Sequence, residues 1–299
     1  GGQKIPCNAV VWGGDQESTW SEFNSILKAG LSAGCSGIST WGFDITGFSG
    51  YLPSKELYLR SVMLASLVPV MQWHSDPVSN NRCDFTGAYK INDRSPWNIA
   101  KFHKDESIID TSLKYFRLHY NLLPYQYLLM VESSKTGVPS MRHLVFEYPN
   151  DKDVLNIEDE FMLGSSLLVA PILQDYVSSK KIYIPEDNYI NLFTKKMFYK
   201  GYHDIEVSAD IPLFMRNNCC IPLILNNHVL MSDVGNLLDR YMELTFLVSG
   251  IGQYEFVDEL GNVINISWDE NTHQINKNIS KIRRIKVNPA FMLKTIFHF

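Results

Sequence analysis

Apolar and polar positions follow two different rhythms along this chain. In the first, CNAVVW (Cys7 to Trp12) is a short apolar run, the polar turn GGDQES follows it, and TWSEFNSILKAGLSAG comes next. Trp20, Phe23, Ile26, Leu27 and Leu31 in that last stretch recur at helical spacing, and Thr19 with Glu22 three residues on has the form of a capping box. The order repeats: GISTWGFDI reads as a strand, SKELYLRSVMLASL as a helix and VPVMQWHS as a third strand. Strands alternating with helices predict right-handed βαβ units and a parallel sheet. A polar stretch from Asp76 to Asp105 predicts a loop without a clear element, of the kind that covers sites. A long helix is predicted from about Glu106 to Ser134, kinked at Pro124.

From about Ser140 the rhythm changes. MRHLVFEY, FMLGSSLLVAPIL, KKIYIP, NLFTKKMFYKG and PLFMRNNCCIPLIL are short strand-like runs separated by Gly, Asn, Asp and Pro, with MRNNCCIPLIL read as one strand. MELTFLVSG, GQYEFVDE and VINISWDE continue the pattern in a more polar form. The expected fold class is therefore α/β followed by all-β, ending in antiparallel sandwiches. The divisions expected are 1–139, 140–225 and 226–299.

Composition narrows the function. The 299 residues are 45% hydrophobic and 20% charged, enough for a sizeable core. The net charge of -5 carries no basic block, which argues against nucleic acid or an anionic membrane as partner. The five cysteines make an odd total and no CxxC pair, so reduced thiols in a cytoplasmic protein are expected, with neither a zinc site nor a disulfide framework. No apolar segment reaches the roughly 20 residues that cross a bilayer.

Asp15, Asp44 and His74 each follow or end an apolar strand, at intervals of 29 and 30 residues. In a parallel barrel or sheet, such positions converge on the face at the carboxyl ends of the strands. Trp12, Trp41, Phe48, Trp73 and Trp97 are expected to line the same mouth. Rings beside carboxylates suit a sugar, whose C–H faces stack on them while its hydroxyls bond to carboxylate and imidazole. Each residue has a plainer reading: an aspartate after a strand caps a helix, a lone histidine satisfies a core, and tryptophans fill one. Three in phase favour the site. Metal ligation by Asp15, Asp44 and His74 is the weaker alternative.

The blocks GGQKIPCNAVVWGGDQ, GLSAGCSGISTWGFDITGF, PVMQWHS, LLPYQYL, FMLGSSLLVAPIL and IPLFMRNNCCIPL are similar, in order, to glycoside hydrolase family 31, the retaining α-glucosidases and α-xylosidases. They span about Gly1 to Leu225, and the remainder is similar only loosely, as a distal β-sandwich. The resemblance implies the last βα units of a (β/α)8 TIM barrel followed by C-terminal β-sandwiches. It implies Asp15 as general acid/base, Asp44 and His74 holding hydroxyls of the first-subsite sugar, and Trp12, Trp41 and Phe48 shaping that subsite. It implies no cofactor, and an oligosaccharide or small α-glycoside as partner.

Retaining chemistry needs a second carboxylate as nucleophile. In the family that aspartate precedes the GGD block on an earlier strand, so this chain is expected to begin after it and to associate with a preceding segment or with a second copy. α-Xylosidase, transglycosylase and sulfoquinovosidase activities stay open within the family, with Arg82, Arg94 and Trp97 as the loop residues that choose among them. A non-catalytic fragment giving structural support or carbohydrate contact is the reading from another class. The family's DIGGF stands here as DITGF, and Thr46 is expected to keep the local backbone out of the positive-φ region.

Overall fold

The structure is a computed structural model that describes residues 10–76, 91–207, 209–224, 243–257, 261–269, 273–277 and 284–289. Its first part is β1 (Val11–Trp12), α1 (Trp20–Cys35), β2 (Trp41–Asp44), α2 (Lys55–Ala65) and β3 (Val70–Gln72). The three strands form a parallel sheet in the order β1-β2-β3, with Trp12 opposite Gly42 and Asp44 opposite Gln72. Thr19 caps α1 as its sequence foretells, its hydroxyl accepting from the Glu22 amide at 3.2 Å. Ser54 caps α2 in the same way through Leu57. Phe23, Ile26, Leu27 and Leu31 are buried on the inner face of α1, against the side of the sheet that carries Trp41 and Phe43.

The segment expected to be a bare loop contains a helix, α3 (Pro96–His103), which starts on a proline at a position where no amide donor is needed. Arg82 lies outside the described residues. The single kinked helix is two helices, α4 (Ser107–Asn121) and α5 (Leu123–Thr136), joined at Leu122. Pro124 sits in the first turn of α5 and so starts a helix where the sequence pattern placed a kink.

The remainder is β. β4 (Met141–Arg142), β5 (Phe161–Leu163), β6 (Leu167–Val169), β7 (Ser179–Ile184), β8 (Tyr189–Asn191), β9 (Met197–Phe198), β10 (Gly201–Glu206) and β11 (Leu213–Arg216) come first. Six of them form one antiparallel sheet in the order β4-β5-β6-β11-β8-β9, and β7 pairs with β10. MRNNCCIPLIL is two strands rather than one: a turn with Asn218 at φ 56° separates β11 from β12 (Cys220–Leu223). β12 pairs with β13 (Glu243–Val248), which runs parallel to β17 (Arg284–Pro289). β14 (Gly252–Val257), β15 (Val263–Trp268) and β16 (His273–Lys277) form an antiparallel sheet of their own.

The largest core cluster runs from α1, β2 and α2 through α4 and α5 into β5, β6 and β11, so the helical part and the first sheet share buried surface. A polar link reinforces it: Tyr115 on α4 donates to Asp210 at 2.9 Å and accepts the Ile211 amide at 3.2 Å.

Candidate active site

At the carboxyl ends of β1 to β3, alternation decides which side chains meet. Trp12 on β1, Gly42 and Asp44 on β2, and Gln72 on β3 share one face. The Trp12 indole donates to Asp44 Oδ2 at 2.9 Å and the Gln72 amide donates to Asp44 Oδ1 at 2.8 Å. Asp44 is fully buried, so the two donors satisfy a carboxylate that would otherwise be costly to remove from water. Gln72 was not singled out by the sequence reading. Its signal was there, because it stands two residues before His74 and strand alternation puts both on one face.

Asp15 stands on the turn that leaves β1. Gly14 takes φ 93°, a conformation a side chain would strain, and a Cβ on Gly13 would stand 2.5 Å from Ile26 Cδ1. The Gln16 side chain folds back to the Gly13 carbonyl, closing the turn beneath Asp15. The Gln16 carbonyl then accepts the amides of Phe48 at 2.8 Å and Ser49 at 3.0 Å, tying the turn to the loop that follows Asp44. Asp15 is exposed and forms no hydrogen bond or ion pair with a described residue. His74 is also exposed and packs against Phe48, with ring centroids 5.1 Å apart.

Two expected wall residues make contacts away from Asp44. Trp41 is 4% exposed and lies on the opposite face of β2, where its ring fills the space above Gly30 of α1. Trp73 likewise alternates away from His74: it stacks on Phe116 of α4 with centroids 5.5 Å apart and meets the edge of Trp97 at 5.9 Å. Arg94, expected to choose among sugars, is fully buried, and its guanidinium is taken up by Ser18, Asn92 and the Ser49 carbonyl. Among the described residues no three His, Cys, Asp or Glu side chains are placed to hold a metal ion.

Thr46 corrects a further expectation. It sits at φ 61°, in the left-handed region that a β-branched residue rarely enters. The surroundings impose it: the Thr46 amide donates to Ser61 Oγ on α2 at 2.7 Å, and the Gly47 amide donates to the Asp44 carbonyl at 2.8 Å, closing a tight turn behind the carboxylate.

The three parallel strands thus bring a satisfied buried carboxylate, an exposed one and a ring-backed histidine to neighbouring strand ends. Comparison with known proteins gives the family. Residues 1–129 match the glycosyl hydrolases family 31 TIM-barrel domain and residues 137–221 the glycosyl hydrolase family 31 C-terminal domain. The chain belongs to glycoside hydrolase family 31, as a TIM-barrel segment followed by the C-terminal β domain.

The chain is 34% identical to an isomaltosyltransferase of Sporosarcina globispora, over 93% of this chain and 25% of that protein. It is 32% identical to a 1,3-α-isomaltosidase of Kribbella flavida, over 69% of this chain and 27% of that one. The cycloalternan-forming enzyme of Listeria monocytogenes, solved with a pentasaccharide substrate, superposes with a TM-score of 0.81 at 32% identity, over 93% of this chain and 27% of its own. The chain thus spans about a quarter of the length of these relatives. No described helix is long and apolar enough to cross a membrane.

Proposed function

We propose that this chain is the acid/base-bearing part of a retaining enzyme that acts on terminal α-glucosides, with isomaltosyl-containing oligosaccharides among its substrates. The observation that carries the reading is the pair of carboxylates at adjacent strand ends in contrasting environments. Asp44 is buried and held by Trp12 and Gln72, while Asp15 is exposed on a two-glycine turn. A fixed carboxylate at a strand end suits a sugar hydroxyl that takes the place of one of its two donors, and an exposed one suits proton transfer to the glycosidic oxygen and then from water. Phe48 and His74 complete the wall of the sugar subsite. The nucleophile is assigned to an earlier barrel strand, outside this chain, and Asp15 faces it across the scissile bond. The names of the relatives, one a transferase and one a hydrolase, support an α-glucosyl or isomaltosyl donor.

The test is Asp15→Ala in the full-length enzyme, assayed on an isomaltooligosaccharide with and without azide. Turnover should fall by about 10²- to 10⁴-fold, the usual contribution of a general acid/base. Azide, which needs no base, should restore release of the leaving group from an activated aryl glucoside and give a glucosyl azide of retained configuration. Wild-type turnover by the variant would remove Asp15 from the chemistry.

A further inference from the structure

Arg94 is a fully buried guanidinium, and its hydrogen bonds reach three separate loops. Nε and Nη2 both donate to Ser18 Oγ at 3.1 Å, on the segment between Asp15 and α1. Nη2 also lies 2.8 Å from the Ser49 carbonyl, 3.2 Å from that of Gly50 and 3.5 Å from that of Tyr51, all on the segment that follows Phe48. Nη1 donates to Asn92 Oδ1, and the Asn92 amide in turn donates to the Asp76 carbonyl at 2.6 Å, two residues beyond His74. The ring of contacts is closed by main chain: the Asp76 amide donates to the Phe48 carbonyl at 2.9 Å and the Ser18 amide to the Ser49 carbonyl at 3.1 Å. Arg94 itself is held from behind by Tyr58 of α2, whose hydroxyl donates to the Arg94 carbonyl at 3.1 Å.

We infer that Arg94 is a positioning residue that fixes the loops carrying Asp15, Phe48 and His74 in one register, so that the acid/base and the sugar wall stand at a set separation. The inference rests on the function proposed above. A planar fork of five donors can satisfy acceptors in several directions at once, whereas a lysine ammonium in the same place reaches one cluster of them. The Ser18 hydroxyl and the carbonyls of residues 49–51 all accept from this one side chain. A loss of this centre frees each loop separately, and reactions of this kind are sensitive to misplacement of about 1 Å.

The experiment uses Arg94→Ala and Arg94→Lys in the full chain, below the unfolding temperature of each. Two readouts are taken: amide hydrogen exchange, and binding of the glucose-shaped iminosugar 1-deoxynojirimycin by calorimetry. In Arg94→Ala, exchange at Ser18, Ser49 and Asp76 should rise by about tenfold or more while the amides of β5, β6 and β11 keep their protection. Iminosugar affinity should fall by about tenfold, and millimolar guanidinium should restore both, while urea, neutral and of similar shape, should not. Arg94→Lys should show the same local exchange with a smaller loss of affinity, and it decides the matter if the alanine variant does not fold.

Wild-type exchange and affinity in both variants would overturn the inference, as would exchange that rises evenly through the molecule. A wild-type chain that binds no iminosugar, or binds it equally well as Asp44→Asn, would overturn the proposed sugar site instead. The exchange data would still report on the loop clamp in that case.

Discussion

Glu160 offers a test of the energetics that is independent of the sugar chemistry. It precedes β5 and is 2% exposed. One of its oxygens accepts the Tyr183 amide at 2.8 Å, and the other meets no donor among the described residues. Burial pushes its carboxyl from 4.5 up to about 8, against the weaker pull of the Tyr183 amide and of the Lys180 charge. The folded value therefore lies above the unfolded one: the native state keeps its full stability below about pH 4.5 and loses it as pH rises through about 8. Each unit of separation is about 1.4 kcal/mol, so between pH 5 and pH 8 the wild type should lose about 3 to 4 kcal/mol relative to a variant that cannot ionise there. Glu160→Gln is that variant. Its amide oxygen can still accept from Tyr183, and its NH2 stands where the second oxygen stood. Urea unfolding of both proteins at pH 5, 6, 7 and 8, followed by circular dichroism, reads the difference directly, because all other titrating groups cancel. Curves that nearly coincide at pH 5 and separate steadily toward pH 8, with the variant the more stable, are expected. A gap that stays constant with pH would refute the claim that Glu160 is buried in its neutral form.

Two further outcomes follow from the strand ends. Gly30→Val should lower stability by about 1 to 3 kcal/mol, the usual cost of overpacking, because even a Cβ there would stand 2.8 Å from the Trp41 ring; thermal unfolding with no shift would mean that the ring yields freely. Trp12→Phe keeps an aromatic surface but removes the donor to Asp44 Oδ2, so KM for an α-glucoside in the full-length enzyme should rise by about tenfold, in keeping with the roughly 1 to 3 kcal/mol of a buried group left unpaired. An unchanged KM would mean that Asp44 needs only Gln72.

The phase of the polar residues was legible in the sequence because a βα unit has a characteristic length. Asp15, Asp44 and His74 recur at 29 and 30 residues, and each does stand at or just after the end of a strand. Which aromatic residues accompany them was not legible from apolarity. A strand of a parallel sheet covered by helices is apolar on both faces, so Trp41 and Trp73 read like mouth residues although alternation turns them toward α1 and α4. Applying alternation to the polar positions alone would have recovered Gln72. The role of Arg94 depends on contacts with residues up to 76 positions away, and no local pattern carries that information.

Thr46 shows why a single replaced glycine need not relax a turn. Its positive φ follows from constraints on either side: Asp44 is fixed by two side-chain donors, the Gly47 amide must reach the Asp44 carbonyl, and the Thr46 amide must reach Ser61. A residue between these anchors has one route through the turn, whatever its own preference, and the cost of about 1 to 2 kcal/mol is borne by the surrounding packing. The threonine is 4% exposed, and its hydroxyl donates to the Ile45 carbonyl at 2.6 Å, an interaction a glycine cannot make. Strain and compensation thus sit directly behind the carboxylate that the proposed function assigns to sugar binding. The same anchors that hold Asp44 against Trp12 and Gln72 also impose the unfavourable backbone next to it.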